Sequence, residues 1–170
     1  MNSAGPQSGW KFLAILTLVV FVADQASKFA VDAYTSAGSL RVVIPGLLNL
    51  AHTSNPGVAF SLLADSESAW LAPLLIAFSV GVIALLVWLL VTGRAGGWLG
   101  RVGLALILGG ALGNVLDRVL RHSVTDFIDF HIGRYHWYTF NLADSAIVIG
   151  AALVVLELFR DWKHPAQERA

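Results

Sequence analysis

The sequence predicts a mainly α-helical integral membrane protein with a bundle of four transmembrane helices. Hydrophobic residues make up 56% of the 170-residue chain, charged residues make up 13%, and the mean hydropathy is +0.70. Soluble domains carry about twice this share of charged residues. The apolar residues also fall into four long runs, each close to the length that a helix needs to cross a hydrocarbon core of roughly 30 Å. We therefore expect one membrane domain over residues 1–170.

The residue types exclude several classes of function. The 11 basic and 11 acidic residues cancel, so no excess of positive charge favours nucleic-acid binding. Cysteine is absent, which removes disulfides, thiol nucleophiles and cysteine metal ligands. The 5 histidines are scattered and form no His-Glu-x-x-His pattern, so they are interpreted as interfacial or loop residues. We expect no metal and no other cofactor.

The first predicted helix covers about residues 11–31. Its apolar run from Phe12 to Ala23 is short enough for the core of a signal peptide. However, no small-x-small cleavage site follows directly, and extension through Asp24 and Lys28 to Val31 gives a span of about 20 residues. We therefore predict a transmembrane helix with a polar outer end.

Residues 32–68 are predicted to lie on the membrane surface. Branched residues around Val42 and Val43 are interrupted by Pro45-Gly46 and by Asn55-Pro56-Gly57, as in short strands joined by turns. The segment is too polar and too interrupted to cross lipid, so we expect a small sheet or cradle. An irregular loop is the alternative that the pattern leaves open.

The remaining three spans are predicted at about residues 69–91, 98–116 and 141–159. Small residues in the third span would allow close approach between membrane helices; these are Gly103, Gly109, Gly110 and Gly113. Between the third and fourth spans, residues 117–140 alternate apolar and polar residues and include several aromatics. This pattern is typical of a strand or surface piece at the interface.

The distribution of Lys and Arg predicts the topology. One side of the membrane is flanked by more basic residues; these are Lys11, Arg94, Arg101, Arg160, Lys163 and Arg169. We therefore place residues 1–10, 92–97 and 160–170 in the cytoplasm, with both termini inside. Segments 32–68 and 117–140 then lie on the outer side.

Two acids beside apolar neighbours are the candidate catalytic residues. Asp126 lies in the outer segment and Asp144 in the first turn of the last helix, so a short excursion of the chain can bring them together. Two carboxylates held close share one proton, and such a pair can activate water as base and polarise a scissile carbonyl as acid. Aspartic proteases hydrolyse peptide bonds with such a pair of carboxyl groups.

Other polar residues occupy positions where they could support these acids. Asn141 precedes Asp144 by three residues, at the position of a helix N-cap. Asn114 and Arg118 share one helix face, and Asp24 and Lys28 have the same spacing in the favoured acid-first order. Helix caps or interfacial ion pairs are the simpler interpretation of each. A Ser27–Lys28 catalytic dyad is disfavoured, because adjacent helical residues point in different directions.

Two other classes of function remain open on these residues. A small proton-coupled carrier could relay protons through Asp24, Asp126 and Asp144, although four spans without an internal repeat are few for a carrier. A proton-flux assay in liposomes would identify it. A structural or assembly protein could pair its acids only with Arg118 and Arg134, and its function would survive replacement of either acid by Asn.

Five blocks of sequence resemble the lipoprotein signal peptidases, the type II signal peptidases of bacteria. The blocks occur in the family's order and show no departure at a motif position; they are Asp24-Gln25-Ala26-Ser27-Lys28, Asn55-Pro56-Gly57-Val58-Ala59-Phe60, Gly109 to Arg118, Val124-Thr125-Asp126-Phe127, and Phe140-Asn141-Leu142-Ala143-Asp144-Ser145. The chain length and the four predicted spans agree with the family.

The resemblance implies an aspartic endopeptidase of the bacterial inner membrane with its active site at the periplasmic face. It would remove the signal peptide of a prolipoprotein by cutting before the diacylglyceryl-modified cysteine. Its partners would be these prolipoproteins and membrane lipids, with no nucleic acid and no obligate protein partner. The implied fold is a four-helix bundle with a small periplasmic β-cradle and a periplasmic surface helix.

The resemblance also implies a role for each matching residue. Asp126 and Asp144 would be the catalytic pair. The supporting shell that orients the acids and binds substrate would be Asp24, Lys28, Asn55, Asn114, Asp117, Arg118 and Asn141.

Overall fold

A computed structural model describes residues 9–56 and 71–163. The described helices are α1 (Trp10–Tyr34), α2 (Leu71–Val91), α3 (Trp98–Arg121) and α4 (Leu142–Lys163). The described strands are β1 (Leu40–Ile44), β2 (Leu48–Asn55), β3 (Val124–Ile132) and β4 (Tyr135–His136). Each helix is long and apolar enough to cross a membrane. The predicted fold class, a four-helix membrane bundle with a small sheet, is confirmed.

Some predicted boundaries differ from those observed. The third helix continues to Arg121, whereas the sequence predicted its end near residue 116. The polar residues Asp117 and Arg118 suggested an end, but Asp117 is buried in an ion pair and remains helical. The first helix likewise extends to Tyr34.

Part of the prediction lies outside the described residues. The surface helix was expected with the outer segment 32–68, of which residues 57–68 are not described. Residues 69–70 of the predicted second span, and residues 1–8 and 164–170 of the predicted cytoplasmic segments, are also outside the described ranges.

The third helix is packed closely against its neighbours through its glycines. A Cβ atom on Gly110 would lie 2.4 Å from the carbonyl oxygen of Ala143 in α4, and one on Gly103 would lie 2.5 Å from that of Gly150. On the α1 side, a Cβ on Gly109 would lie 2.8 Å from the carbonyl oxygen of Thr17. The predicted role of these glycines in close helix approach is confirmed, and α3 is the central element of the bundle.

A four-stranded antiparallel sheet joins two distant parts of the chain. Its order is β1-β2-β3-β4, so the hairpin from residues 40–55 pairs with a strand that follows α3. In this register Thr53 lies opposite Asp126. The amide of Phe140 donates to the carbonyl of Ile128 at 3.0 Å, which attaches β3 to the start of α4. The sheet therefore holds Asp126 beside the first turn of α4.

We expect Gly110→Ala to destabilise the protein, because the new methyl group would force α4 away from α3. Overpacking of this kind costs about 1–3 kcal/mol. Gly81→Ala in α2 is the matched control, since nothing lies within 4 Å of its added Cβ. Thermal unfolding in detergent measures the difference, and equal midpoints for the two variants would contradict the packing described for α3.

Candidate functional site

A buried lysine lies at the base of the site. Lys28 of α1 is completely buried, and its ammonium group lies 2.8 Å from Asp24 Oδ2 and 2.7 Å from Asp117 Oδ2. It also donates to Asn114 Oδ1 at 2.9 Å. Three donors thus meet three acceptors, which is the condition under which a buried ammonium group is tolerated.

The carboxylate of Asp24 connects this ion-pair group to the start of α4. Its Oδ1 accepts a hydrogen bond from the backbone amide of Ala143 at 2.9 Å. Amides in the first turn of a helix have no intrahelical acceptor, and a carboxylate there is stabilised by the helix dipole. A Cβ on Gly113 would lie 2.4 Å from Asp24 Oδ2, so glycine at this position leaves room for the carboxylate.

Two asparagines extend the network from Lys28 to the candidate catalytic acids. Asn114 accepts from Lys28 and donates through Nδ2 to Asp144 Oδ1 at 2.8 Å. Asn141 donates through Nδ2 to Asn114 Oδ1 at 3.3 Å and to Asp126 Oδ1 at 2.7 Å. The two acids are therefore connected through neutral amides.

The cap of α4 fixes the orientation of Asp144. Asn141 Oδ1 accepts from the amide of Asp144 at 2.9 Å, while Asp144 Oδ2 accepts from the amide of Asn141 at 3.2 Å. This reciprocal pair has the geometry of a capping box. The predicted N-cap position of Asn141 is confirmed, and its side chain contacts the carboxylate of Asp126 and the backbone amide of Asp144.

Asp126 is buried on β3 and is held from two sides. Its Oδ2 accepts from Asn55 Nδ2 at 3.0 Å, and its backbone carbonyl accepts from Thr53 Oγ1 at 3.0 Å. Burial raises the pKa of Asp126 to about 6, the hydrogen bond from Asn55 lowers it, and the charge of Asp144 raises it. Asp126 therefore keeps its proton to a higher pH than an ordinary aspartate does.

Arg118 provides positive charge next to the two acids. Its Nη1 donates to the backbone carbonyl of Asn114 at 3.3 Å, and its charge interacts with both Asp144 and Asp126. Among residues 9–56 and 71–163, neither Asp126 nor Asp144 forms a salt bridge. This argues against the structural alternative in which the acids serve only as partners of Arg118 and Arg134.

All nine residues singled out from the sequence belong to this network. The structure adds Gln25, which the sequence analysis did not single out and whose Nε2 lies within hydrogen-bond distance of Asp24, Gly113 and Asp117. The position of Gln25 inside the first motif block could have identified it as a site residue. The interpretation of the histidines as scattered was wrong for His131 and His136, whose rings stack at 4.6 Å across neighbouring strands.

Comparison with known proteins finds a matching family model, similar sequences and a similar solved structure. The family model described as signal peptidase (SPase) II matches residues 16–160. The lipoprotein signal peptidase of Aeromonas hydrophila is 45% identical over 166 residues, which cover 96% of each chain. That of Solibacter usitatus is 39% identical over 165 residues, with 95% of this chain and 98% of the relative covered. A bacterial membrane enzyme structure obtained by the in meso method at 2.3 Å has a TM-score of 0.82 at 28% identity, covering 94% of both chains.

The fold and the site define a multi-pass membrane protein with a buried acidic network at one end of its helix bundle. The chain belongs to the signal peptidase II family. It is therefore a bacterial membrane peptidase, and the resemblance stated from the five motif blocks is confirmed.

We expect Lys28→Met to destabilise the protein by about 3–5 kcal/mol, because removal of one partner leaves buried charges without compensation. Adding Asp117→Asn should restore part of the loss by removing one of the unpaired charges. The exposed Lys11→Met on the same helix is the control and should change stability little. Chemical unfolding in detergent measures the three variants. A Lys28→Met protein as stable as the control would show that the ion pairs do not hold the site together.

Proposed function

We propose that this chain is an aspartic endopeptidase that removes the signal peptide from diacylglyceryl-modified prolipoproteins, cutting N-terminal to the lipidated cysteine. The observation that carries the proposal is the arrangement of Asp126 and Asp144 about Asn141, which donates to one acid through its side chain and to the other through its backbone. The family membership supports the peptidase class, and this geometry supports the aspartic mechanism.

The chemistry needs only the two carboxyl groups and a water molecule. One member is ionised and takes a proton from the water, whose oxygen attacks the scissile carbonyl carbon. The protonated member gives its proton to the carbonyl oxygen, forming a neutral tetrahedral intermediate. The first acid then gives its proton to the leaving amine, while the second acid takes back the proton of one hydroxyl group, and the C–N bond breaks as the carbonyl re-forms. The raised pKa of Asp126 supports the single shared proton that these steps require.

The surrounding hydrogen bonds suit this use of the acids. Asn55, Asn114 and Asn141 each hold a carboxylate oxygen through a neutral amide donor, which orients the acid without neutralising it by a full opposite charge. A carboxylate can accept about four hydrogen bonds, so the acids retain capacity for a water molecule and for each other. The ion pairs of Lys28 with Asp24 and Asp117 hold this arrangement in place through Asn114. Arg118 supplies positive charge near the substrate backbone.

The apolar outer faces of the helices favour a substrate that approaches through the bilayer. Large apolar side chains on these faces are exposed, among them Phe29, Phe78 and Leu158. The signal helix and the acyl chains of a prolipoprotein are themselves lipid-soluble and can move sideways to the bundle. The excess of basic residues on the other flank supports cytoplasmic termini and a site at the periplasmic face of the inner membrane.

We expect Asp126→Asn and Asp144→Asn each to fold and insert but to cleave prolipoprotein at least about a thousand-fold more slowly, as for loss of a general acid or base. Each variant lacks one of the two proton-transfer groups. Asp161→Asn, an exposed acid near the far end of α4, is the control and should cleave normally. Cleavage is followed by gel shift with purified protein. Substantial residual activity in either variant would remove that residue from the catalytic pair.

The pH profile offers a second test of the shared proton. With the pKa of Asp126 raised to about 6, kcat/KM should fall as the pH increases through that value, because the acid member is lost. Asn55→Ala removes a hydrogen bond that lowers this pKa, so the alkaline limb should move to higher pH by about one unit.

The control for this profile is Ser54→Ala, which changes the exposed neighbour of Asn55 on the same strand. Its alkaline limb should coincide with that of the unmodified protein. An Asn55→Ala limb that stays in place or moves to lower pH would contradict the assignment of the shared proton to this pair.

A further inference from the structure

A second polar cluster lies on the sheet, away from the two proposed catalytic acids. Asp129 and His131 of β3 are both buried, and they meet the half-exposed side chain of His136 on β4. Asn49 of β2 lies beside them and is also buried. No step of the proposed peptide hydrolysis uses these residues, although burying a carboxylate and an imidazole together is costly unless they are partnered or used.

The register of the strands places these side chains on one face. Residues two apart on a strand point to the same side, so Asp129 and His131 are neighbours along β3. Across the sheet, Asn49 lies opposite Asp129 and His136 lies opposite His131. Three strands, from two distant parts of the chain, thus contribute to one cluster.

The carboxylate oxygens and ring nitrogens of this cluster lie close together. His136 Nδ1 lies 2.8 Å from Asp129 Oδ1, and His131 Nδ1 lies 3.4 Å from Asn49 Nδ2, which places that ring nitrogen on the side of the carboxylate. One ligand atom from each of Asp129, His131 and His136 can be chosen so that all three lie within 4.8 Å of one another. The two imidazole rings are nearly parallel, with 9° between their planes.

We propose that Asp129, His131 and His136 form a binding site for a divalent transition-metal ion of the zinc class. Two imidazoles and a carboxylate are the ligands that Zn²⁺ uses at sites with an open fourth position, whereas Ca²⁺ and Mg²⁺ prefer oxygen ligands alone. Zinc–ligand bonds of about 2.0–2.1 Å place tetrahedral ligand atoms about 3.3 Å apart. The three ligand atoms, which lie within 4.8 Å of one another, would move closer to this spacing when an ion binds.

The surroundings fit the requirements of such a site. Asn49 Nδ2 donates to Asp129 Oδ2 at 2.7 Å, which orients the carboxylate as partners outside the ligand set commonly do. A cavity of about 450 Å³ lined by Asp129, His136, Trp137 and Tyr138 opens onto the cluster. It gives an ion a route in and leaves its fourth position accessible to water or another small ligand.

A bound ion would fasten β4 to β3 close to the place where β3 joins α4. The amides of Phe127 and Ile128 both donate to the carbonyl of Phe140, one residue before Asn141. Metal binding would therefore stabilise the outer sheet without contacting Asp126 or Asp144. The inference rests on the cluster alone and does not depend on the proposed peptidase mechanism.

The experiment is a metal titration of the full chain, purified through an affinity tag without histidines and first treated with a chelator. Zn²⁺ is titrated by calorimetry, Co²⁺ is titrated by its visible absorption, and thermal unfolding is recorded with and without Zn²⁺. We expect one saturable site, a Co²⁺ spectrum typical of low coordination number, and a higher unfolding temperature with Zn²⁺.

Variants identify the ligands. His136→Ala should weaken binding at least about tenfold and abolish the thermal shift, and the variant should fold because this side chain is half exposed. Asn49→Ala should weaken binding by a smaller factor. His122→Asn, an exposed histidine with left-handed backbone that Asn tolerates, is the control and should bind as the unmodified protein does. Absence of a saturable site, or equal binding by the His136→Ala and His122→Asn proteins, would overturn the proposal.

Discussion

The interaction on which the site depends is the compensation of one buried charge. The ammonium group of Lys28 is fully buried, and isolation of such a charge from water costs several kcal/mol. Asp24, Asp117 and Asn114 satisfy its three donors, and they come from two helices that must therefore stay in register. The same requirement keeps α3 helical beyond the polar residues where its hydrophobic stretch ends. The position of α4 follows, because Asp24 also accepts from an amide in its first turn.

Asparagine is well suited to connect the buried Lys28 ion pairs to the two candidate catalytic acids. Its amide both donates and accepts, so Asn141 can cap α4 with its oxygen and hold Asp126 with its nitrogen. A lysine or arginine at this point would neutralise an acid and depress its pKa, whereas an amide orients it with less electrostatic effect. The neutral connection is consistent with a pair of acids in which one keeps a proton near neutral pH.

The sequence was sufficient for the helices and for most of the site. Hydrophobic runs predict spans reliably, since lipid demands about 20 apolar residues per helix, and the motif blocks contained all nine predicted site residues. It predicted strands in both outer segments but not their pairing, because β2 and β3 lie in segments separated by two helices and their pairing leaves no local pattern. For the same reason the approach of His131 to His136 was missed. The end of α3 was misplaced because a local polarity pattern does not reveal that Asp117 has a buried partner.

The central claim is that this network presents two carboxyl groups sharing one proton to the cleavage site of a lipidated prolipoprotein. The most direct measurement is cleavage by purified protein in detergent of one prolipoprotein, prepared with and without diacylglycerol on its cysteine. The account predicts that the lipidated form alone is cut, immediately before the modified cysteine. Equal cutting of both forms, or no cutting of either by well-folded protein, would contradict it.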